Sequence, residues 1–333
     1  MKTLCLTIEP LSAFGTPLKG DTLFGQFCWQ VAYDDTLLAV PFSEALSVYA
    51  TRPFAVFSSA FPALPDGGVA LPRPQAPLDQ LFDLSALSRD ERIGERKKLK
   101  KNKWLLCRQG TALPSLRTAR YLSDKELAEA AGVDTQAGLI SEFLHSHNSI
   151  NRLTGTTGEG FAPYSTRVDV HAPGLKLALF VGHDPGVLSQ NSLILGLERI
   201  GALGFGRDAS TGHGRFRVCD CRPIDLARLG AIKPNALYTL APCVPEMPLY
   251  LDALFTPFTR FGRHGDRLAT SGKPFKNPVI MADQGAVFFP KDLAASLDCP
   301  YLGKALGGLS KIQDGAVGQG YTLYLPVGLE VAQ

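Results

Sequence analysis

The 333 residues of this chain are enough for about two domains of ordinary size and for a sizeable apolar core. With 45% hydrophobic residues, 20% charged residues and a mean hydropathy of +0.04, the composition is that of a folded globular protein and excludes a disordered or fibrous chain. No apolar run approaches the roughly 18 residues of a membrane span, and residues 1–10 contain Glu9 without the apolar stretch and cleavage site of a secretory leader, so a soluble, cytoplasmic protein without a membrane partner is expected.

In chain order, residues 4–8 read as an opening strand. A loop with Gly15, Pro17 and Gly20 follows, then an apolar helix over residues 22–33. A second strand fits residues 54–58, after which five prolines and Gly67-Gly68 mark an irregular insertion at about 60–120. Ser123 with Glu126 three residues on is a capping box that opens a short helix, and residues 135–145 read as another. Strands are expected at 148–153, 164–170 and 175–181, a helix at 186–201, a glycine-rich loop, and a strand from 216. The order β, α, β, insertion, β, α, β suits an α+β, ferredoxin-like or RRM-type domain over residues 1–222. From residue 223 to 333 the pattern changes to strands punctuated by Pro and Gly, closing in a strand at 321–327.

Charge is concentrated within the insertion. The net +3 of the chain splits into +6 over residues 89–108 and −3 over the other 313, because Lys97, Lys98, Lys100, Lys101 and Lys103 fall close together with four arginines. Such a run suits a polyanion or a solvated face, and Trp104 at its end could stack on an unpaired base. The seven cysteines are odd in number and form no CxxC pair, so buried, reduced thiols are expected and a structural metal is not.

Two glycine motifs imitate nucleotide sites and fail on context. Gly15-Thr-Pro-Leu-Lys-Gly-Asp-Thr22 has the spacing of a phosphate loop, but Asp21 stands where a lysine must meet the phosphates. The helix start with Lys19 and Gly20 could still offer backbone N–H groups to a single phosphate, and Asp21 reads equally well as an N-cap. Gly204-Phe-Gly-Arg-Asp-Ala209 follows a helix and precedes a strand, the reverse of the dinucleotide-binding order. What remains is a loop in which Gly204, Gly206 and Gly212 bare their amides, Arg207, Ser210, Thr211, His213 and Arg215 could track a sugar-phosphate backbone, and Phe205 could stack; a plain β-connection is the alternative. A third stretch, residues 147–160, holds Asn148, Asn151, Arg152 and Thr154, which suit 2′-OH, phosphate and base-edge contacts but also cap turns. His145 and His147, two residues apart, are read as pointing to opposite faces of a strand or to divergent faces of a helix, and so as no metal pair. There is no GxSxG and no cysteine in a polar loop, so the one enzymatic alternative is metal-independent RNA cleavage with His213 as general acid or base, assisted by Tyr164 or Lys19.

Together, Ser12-Ala-Phe-Gly-Thr-Pro-Leu-Lys-Gly-Asp-Thr-Leu-Phe-Gly-Gln-Phe-Cys-Trp29, Asn148-Ser-Ile-Asn-Arg-Leu-Thr154 and Gly204-Phe-Gly-Arg-Asp-Ala-Ser-Thr-Gly-His-Gly214 resemble the RAMP superfamily. Within it they resemble the family of fourth subunits of the Csm complex, the type III-A CRISPR effector. Beyond residue 220 the resemblance rests on Arg260-Phe-Gly-Arg-His-Gly265 and Tyr321-Thr-Leu-Tyr-Leu-Pro326. It implies two ferredoxin-like domains and a non-catalytic subunit, without cofactor or metal, that holds the 5′ repeat-derived tag of a CRISPR RNA. The implied protein partners are the large signalling and nuclease subunit and the first backbone subunit, with target RNA met only indirectly. Lys19, Gly20 and Asp21 fall on the family's turn into the first helix, Asn151 and Arg152 on its polar loop, and residues 204–214 on its glycine-rich loop; the basic insertion falls where related subunits project a thumb-like hairpin. A processing endoribonuclease of the superfamily, or the equivalent subunit of another CRISPR subtype, are the alternatives.

Overall fold

The computed structural model describes residues 1–134, 138–158 and 162–330. The chain opens with β1 (Lys2–Pro10), α1 (Gly20–Tyr33) and β2 (Ala55–Pro62). The insertion contributes β3 (Val69–Pro72), α2 (Arg89–Leu99), β4 (Asn102–Cys107), β5 (Tyr121–Ser123) and α3 (Asp124–Ala131). A hairpin of β6 (Ile140–His147) and β7 (Tyr164–His171) follows, then β8 (Leu177–His183), α4 (Gln190–Leu203) and β9 (Phe216–Pro223). The remaining strands used below are β10 (Ala236–Thr239), β11 (Tyr250–Leu254), β12 (Pro257–Arg260), β13 (Val279–Ala282), β14 (Val287–Pro290) and β15 (Tyr324–Val327).

β1, β2, β8 and β9 form one antiparallel sheet in the order β2-β8-β1-β9, with α1 linking its first two strands and α4 its last two. The apolar spacing explains the helix that packs here: Leu23, Phe24, Phe27 and Val31 recur on one face of α1 and are fully buried. α4 crosses α1 at Gly196, where a Cβ would stand 2.4 Å from the Phe27 ring, so only glycine permits this approach. The second sheet repeats the strand order, β11-β14-β10-β15, again antiparallel. One buried core runs from Leu6 and Phe57 of the first sheet to Tyr238, Val287 and Leu325 of the second. Its polar seam is Gln319, buried, whose side chain accepts from the Phe57 N–H and donates to the Phe57 carbonyl, both at 2.8 Å. Those bonds satisfy backbone groups at the bulge in β2, where the pairing with β8 shifts register.

Five expectations change. The insertion is not irregular: β3, β4 and β5 make a three-stranded antiparallel sheet, and α2 and α3 both start at complete capping boxes, on Ser88 and on the expected Ser123. Of the helix expected at 135–145, residues 135–137 lie outside the described residues and residues 140–147 are strand β6, because pairing along all eight positions of β7 overrides the local helical preference. The strand expected at 148–153 is instead the turn at the tip of that hairpin. Asp21 is not the N-cap of α1; Lys19 is, with no side-chain cap bond. All seven cysteines are free thiols, and Cys219 is exposed rather than buried. Among the described residues no helix is long and apolar enough to cross a membrane.

Candidate nucleic-acid interface

The turn into α1, the glycine-rich loop and the β6–β7 hairpin are knitted together by backbone bonds. The Arg207 N–H donates to Thr16 Oγ1 at 2.9 Å, the Gly214 N–H to the Ala13 carbonyl at 2.7 Å and the Arg215 N–H to Ser12 Oγ at 2.9 Å. Phe14 and Asp169 exchange backbone bonds of 2.8 and 2.9 Å, which fixes the hairpin to the same loop, and the Arg207 guanidinium donates to the Arg167 carbonyl. The glycines are required by this approach: at Gly206 (φ 74°) a Cβ would lie 2.5 Å from Thr16, and at Gly214 (φ 73°) 2.1 Å from the Phe205 carbonyl. Gly204 and Gly212 share the positive-φ region, and the amides of the loop are not bared as expected: the N–H groups of Gly204, Gly206 and Gly212 donate to the Ile200 carbonyl, Gln26 Oε1 and the Ala209 carbonyl, because the tight turns aim them inward. Phe205 is therefore not a stacking platform; it is 0% exposed and belongs to the core, because its flanking glycines fold the chain inward over it.

Asp208 is the one non-glycine residue at positive φ (64°) among the described residues. Its carboxylate lies 3.3 Å from Arg207 Nε and 3.9 Å from His147 Nε2, and Oδ2 is buried without a hydrogen-bond partner. His147 also sits 2.9 Å from Thr166 Oγ1 and stacks on the Tyr164 ring at 5.0 Å. The ring of His145 is 4.7 Å from that of His147 and 4.9 Å from that of His213, whose Nδ1 is buried and unpartnered. The two hairpin histidines thus share a face rather than lying on opposite faces of the strand, since residues i and i+2 of a strand point the same way. Among the described residues no cluster has the geometry of a metal site. Ser210, Thr211 and Arg215 of the same glycine-rich loop are exposed.

At the hairpin tip Arg152, Asn148 and Thr154 are exposed. Asn151 Oδ1 accepts from the Leu153 N–H at 2.9 Å, and Thr154 Oγ1 lies 3.0 Å from Thr156 Oγ1, so these two stabilise the turn itself. The other end of the 147–160 stretch, residues 159 and 160, lies outside the described residues. The helix start is already neutralised within the chain. Lys19 Nζ bonds both oxygens of Asp283 at 2.6 and 2.8 Å and lies 4.9 Å from the Phe258 ring centroid. Asp21 receives a two-pronged contact from Arg260 at 2.7 and 3.0 Å, and burial pushes its carboxyl up against the opposing pull of that guanidinium. Gly20 is fixed by proximity: a Cβ there would stand 2.2 Å from the Phe57 carbonyl. A cavity of about 150 Å3 beside Lys19 is lined by Phe14, Trp104, Asp169 and His171; burial lowers the His171 imidazole to about 4.

In the basic run, Lys97, Lys98, Lys100, Lys101 and Lys103 are all exposed. Lys98 pairs with Glu95 and Lys103 with Asp124, whereas Lys97, Lys100 and Lys101 make no ion pair among the described residues. Trp104 donates its indole N–H to Asp124 at 2.7 Å and is half-buried, so it is committed to α3 rather than presented to a base. Sequence reasoning missed His145, His147 and Asp208 as neighbours of His213. The HxH pair was visible, but its partner lies more than sixty residues away.

No protein-family model matches the sequence, and no curated protein does. Solved structures do match. A chain of the Csm1–Csm4 cassette in complex with pppApA aligns over 100% of both chains at 15% identity and a TM-score of 0.53. A chain of the Csm3–Csm4 subcomplex of the type III-A CRISPR-Cas interference complex covers 98% of this chain and 100% of its own at 12% identity and a TM-score of 0.55. Csm4 is the component common to both complexes.

Proposed function

We propose that this chain, whose fold is similar to that of chains in solved Csm complexes, is the Csm4-like, RAMP-type subunit of a type III-A CRISPR effector, a non-catalytic module that holds the 5′ tag of the guide RNA and bridges the large signalling subunit to the backbone. The observation that carries this reading is the convergence of three distant stretches, around Thr16, His147 and Arg207, into one bonded surface. The exposed Arg152, Arg207 and Arg215, with Ser210 and Thr211, supply phosphate and 2′-OH partners there. Lys19 and Asp21 shape the surface rather than touch RNA, because both charges are satisfied by Asp283 and Arg260. The repeated strand order supports reading residues 1–222 and 223–333 as two ferredoxin-like halves. Lys97, Lys100 and Lys101 add affinity that salt weakens.

A second reading has one observation in its favour. The rings of His145 and His213 are 4.9 Å apart, with His147 beside His145 and Tyr164 stacked on His147, and two imidazoles flanking a phosphate can move the protons of metal-independent RNA scission. Incubating the purified complex with repeat RNA in EDTA separates the two. The proposed function expects binding, weakened about tenfold by Arg152→Glu or Arg207→Glu, without cleavage. Cleavage abolished by His213→Ala would replace it with the second reading.

A further inference from the structure

We propose that the cavity on the face of the first sheet carrying Cys5 and Thr7 is a binding site for a small organic anion of single negative charge. It is separate from the RNA surface and does not depend on the function proposed for that surface. The cavity measures about 420 Å3, within the ~300–1,000 Å3 typical of small-molecule sites. β1 and β8 supply its floor through Cys5, Thr7 and Phe180, and the insertion and the chain beyond β9 close over it through Leu64 and Leu229. Leu4, Leu6 and Ile8 alternate with the β1 floor residues and turn into the core, so strand periodicity leaves Cys5 and Thr7 to face the cavity.

Three charged side chains line it: Lys176, Asp220 and Arg222. None of them makes an ion pair among the described residues, and Arg222 Nε is buried with no hydrogen-bond partner. A buried donor of this kind marks a place where an acceptor is missing. The Arg222 guanidinium reaches the cavity rim, with Nη2 3.5 Å from where a Cβ of Gly67 would stand, and it opposes the upward push that burial exerts on the Cys5 thiol. Two cations against one carboxylate leave one positive charge to neutralise. The groups that match are a carboxylate or a phosphodiester, which an Arg side chain receives through paired N–H donors, on an apolar or planar body that the surrounding Leu and Phe side chains would cover.

The test uses the full chain with two probes, 3′,5′-cyclic AMP and benzoate, titrated by calorimetry and by nuclear magnetic resonance. Saturable binding of either supports the site, cyclic AMP alone assigning a phosphodiester and benzoate alone a carboxylate. Lys176→Met and Arg222→Met should each weaken it about tenfold, and Asp220→Asn should tighten it. If Arg222→Met does not fold, Lys176→Met carries the comparison. Absence of binding by both probes up to about 10 mM, or equal affinity in wild type and Lys176→Met, would overturn the proposal.

Discussion

Replacing Arg260 by Met removes one member of the ion pair that anchors the first turn of α1. Asp21 is only 8% exposed and Arg260 27%, and their contact is two-pronged at 2.7 and 3.0 Å. A surface pair of this kind would contribute about 0–1 kcal/mol. Here the carboxylate stays behind in an apolar, desolvated position, and stranding one partner of a buried pair costs about 3–5 kcal/mol. Arg260→Met should therefore lower the free energy of unfolding by about 3 kcal/mol or more in urea titrations, with an unchanged m-value, whereas the double variant Asp21→Asn, Arg260→Met should recover most of that loss. The pH dependence has a defined sign. Burial already raises the Asp21 carboxyl, and loss of Arg260 removes its strongest opposing influence. A group raised in the folded state favours the fold when protonated, so the deficit of Arg260→Met should shrink as pH falls from 7 toward 5. A loss below about 1 kcal/mol, or a deficit that does not vary with pH, would refute the reasoning.

Other outcomes follow from the same geometry. His171 is lowered to about 4 by burial, so the unfolded chain binds its proton first and stability should fall by about 2 kcal/mol between pH 6.5 and pH 5, a decline that His171→Phe should lack in matched urea titrations. Gly214→Ala puts a Cβ 2.1 Å from the Phe205 carbonyl at φ 73°, and should lower the melting temperature by several degrees while Gly212→Ala, with open space around it, costs only its backbone strain, of order 1 kcal/mol. Replacing Lys97, Lys100 and Lys101 together by Ala should make the log–log salt slope of RNA binding shallower by about 2, and an unchanged slope would assign these lysines to solvent.

Much of the fold was legible because its strands and helices carry regular apolar spacing: β1, α1, β8 and α4 fall close to where Leu6, Phe27, Val181 and Leu197 place them. Residues 140–147 misled because nothing local in Ile-Ser-Glu-Phe-Leu-His-Ser-His encodes pairing with a strand seventeen residues later. At the candidate site, the glycine loop was recognisable from composition, and its Arg and Ser residues are exposed as expected. Phe205 was misjudged because an aromatic between glycines looks exposed in sequence, whereas the glycines serve to bury it. The ion pairs of Lys19 and Asp21 were not legible either: their partners Asp283 and Arg260 lie some 240 to 260 residues away, and no spacing rule links them.

In the proposed function the turn into α1, the hairpin and the glycine-rich loop form one surface for the leading end of a guide RNA. Photocrosslinking the assembled complex, with photoreactive nucleotides placed along the 5′ tag and the adducts mapped by mass spectrometry, tests it directly. Adducts are expected in residues 12–20, 145–154 and 204–215. Adducts confined to other parts of the chain, or tag nucleotides that crosslink only to neighbouring subunits, would contradict it.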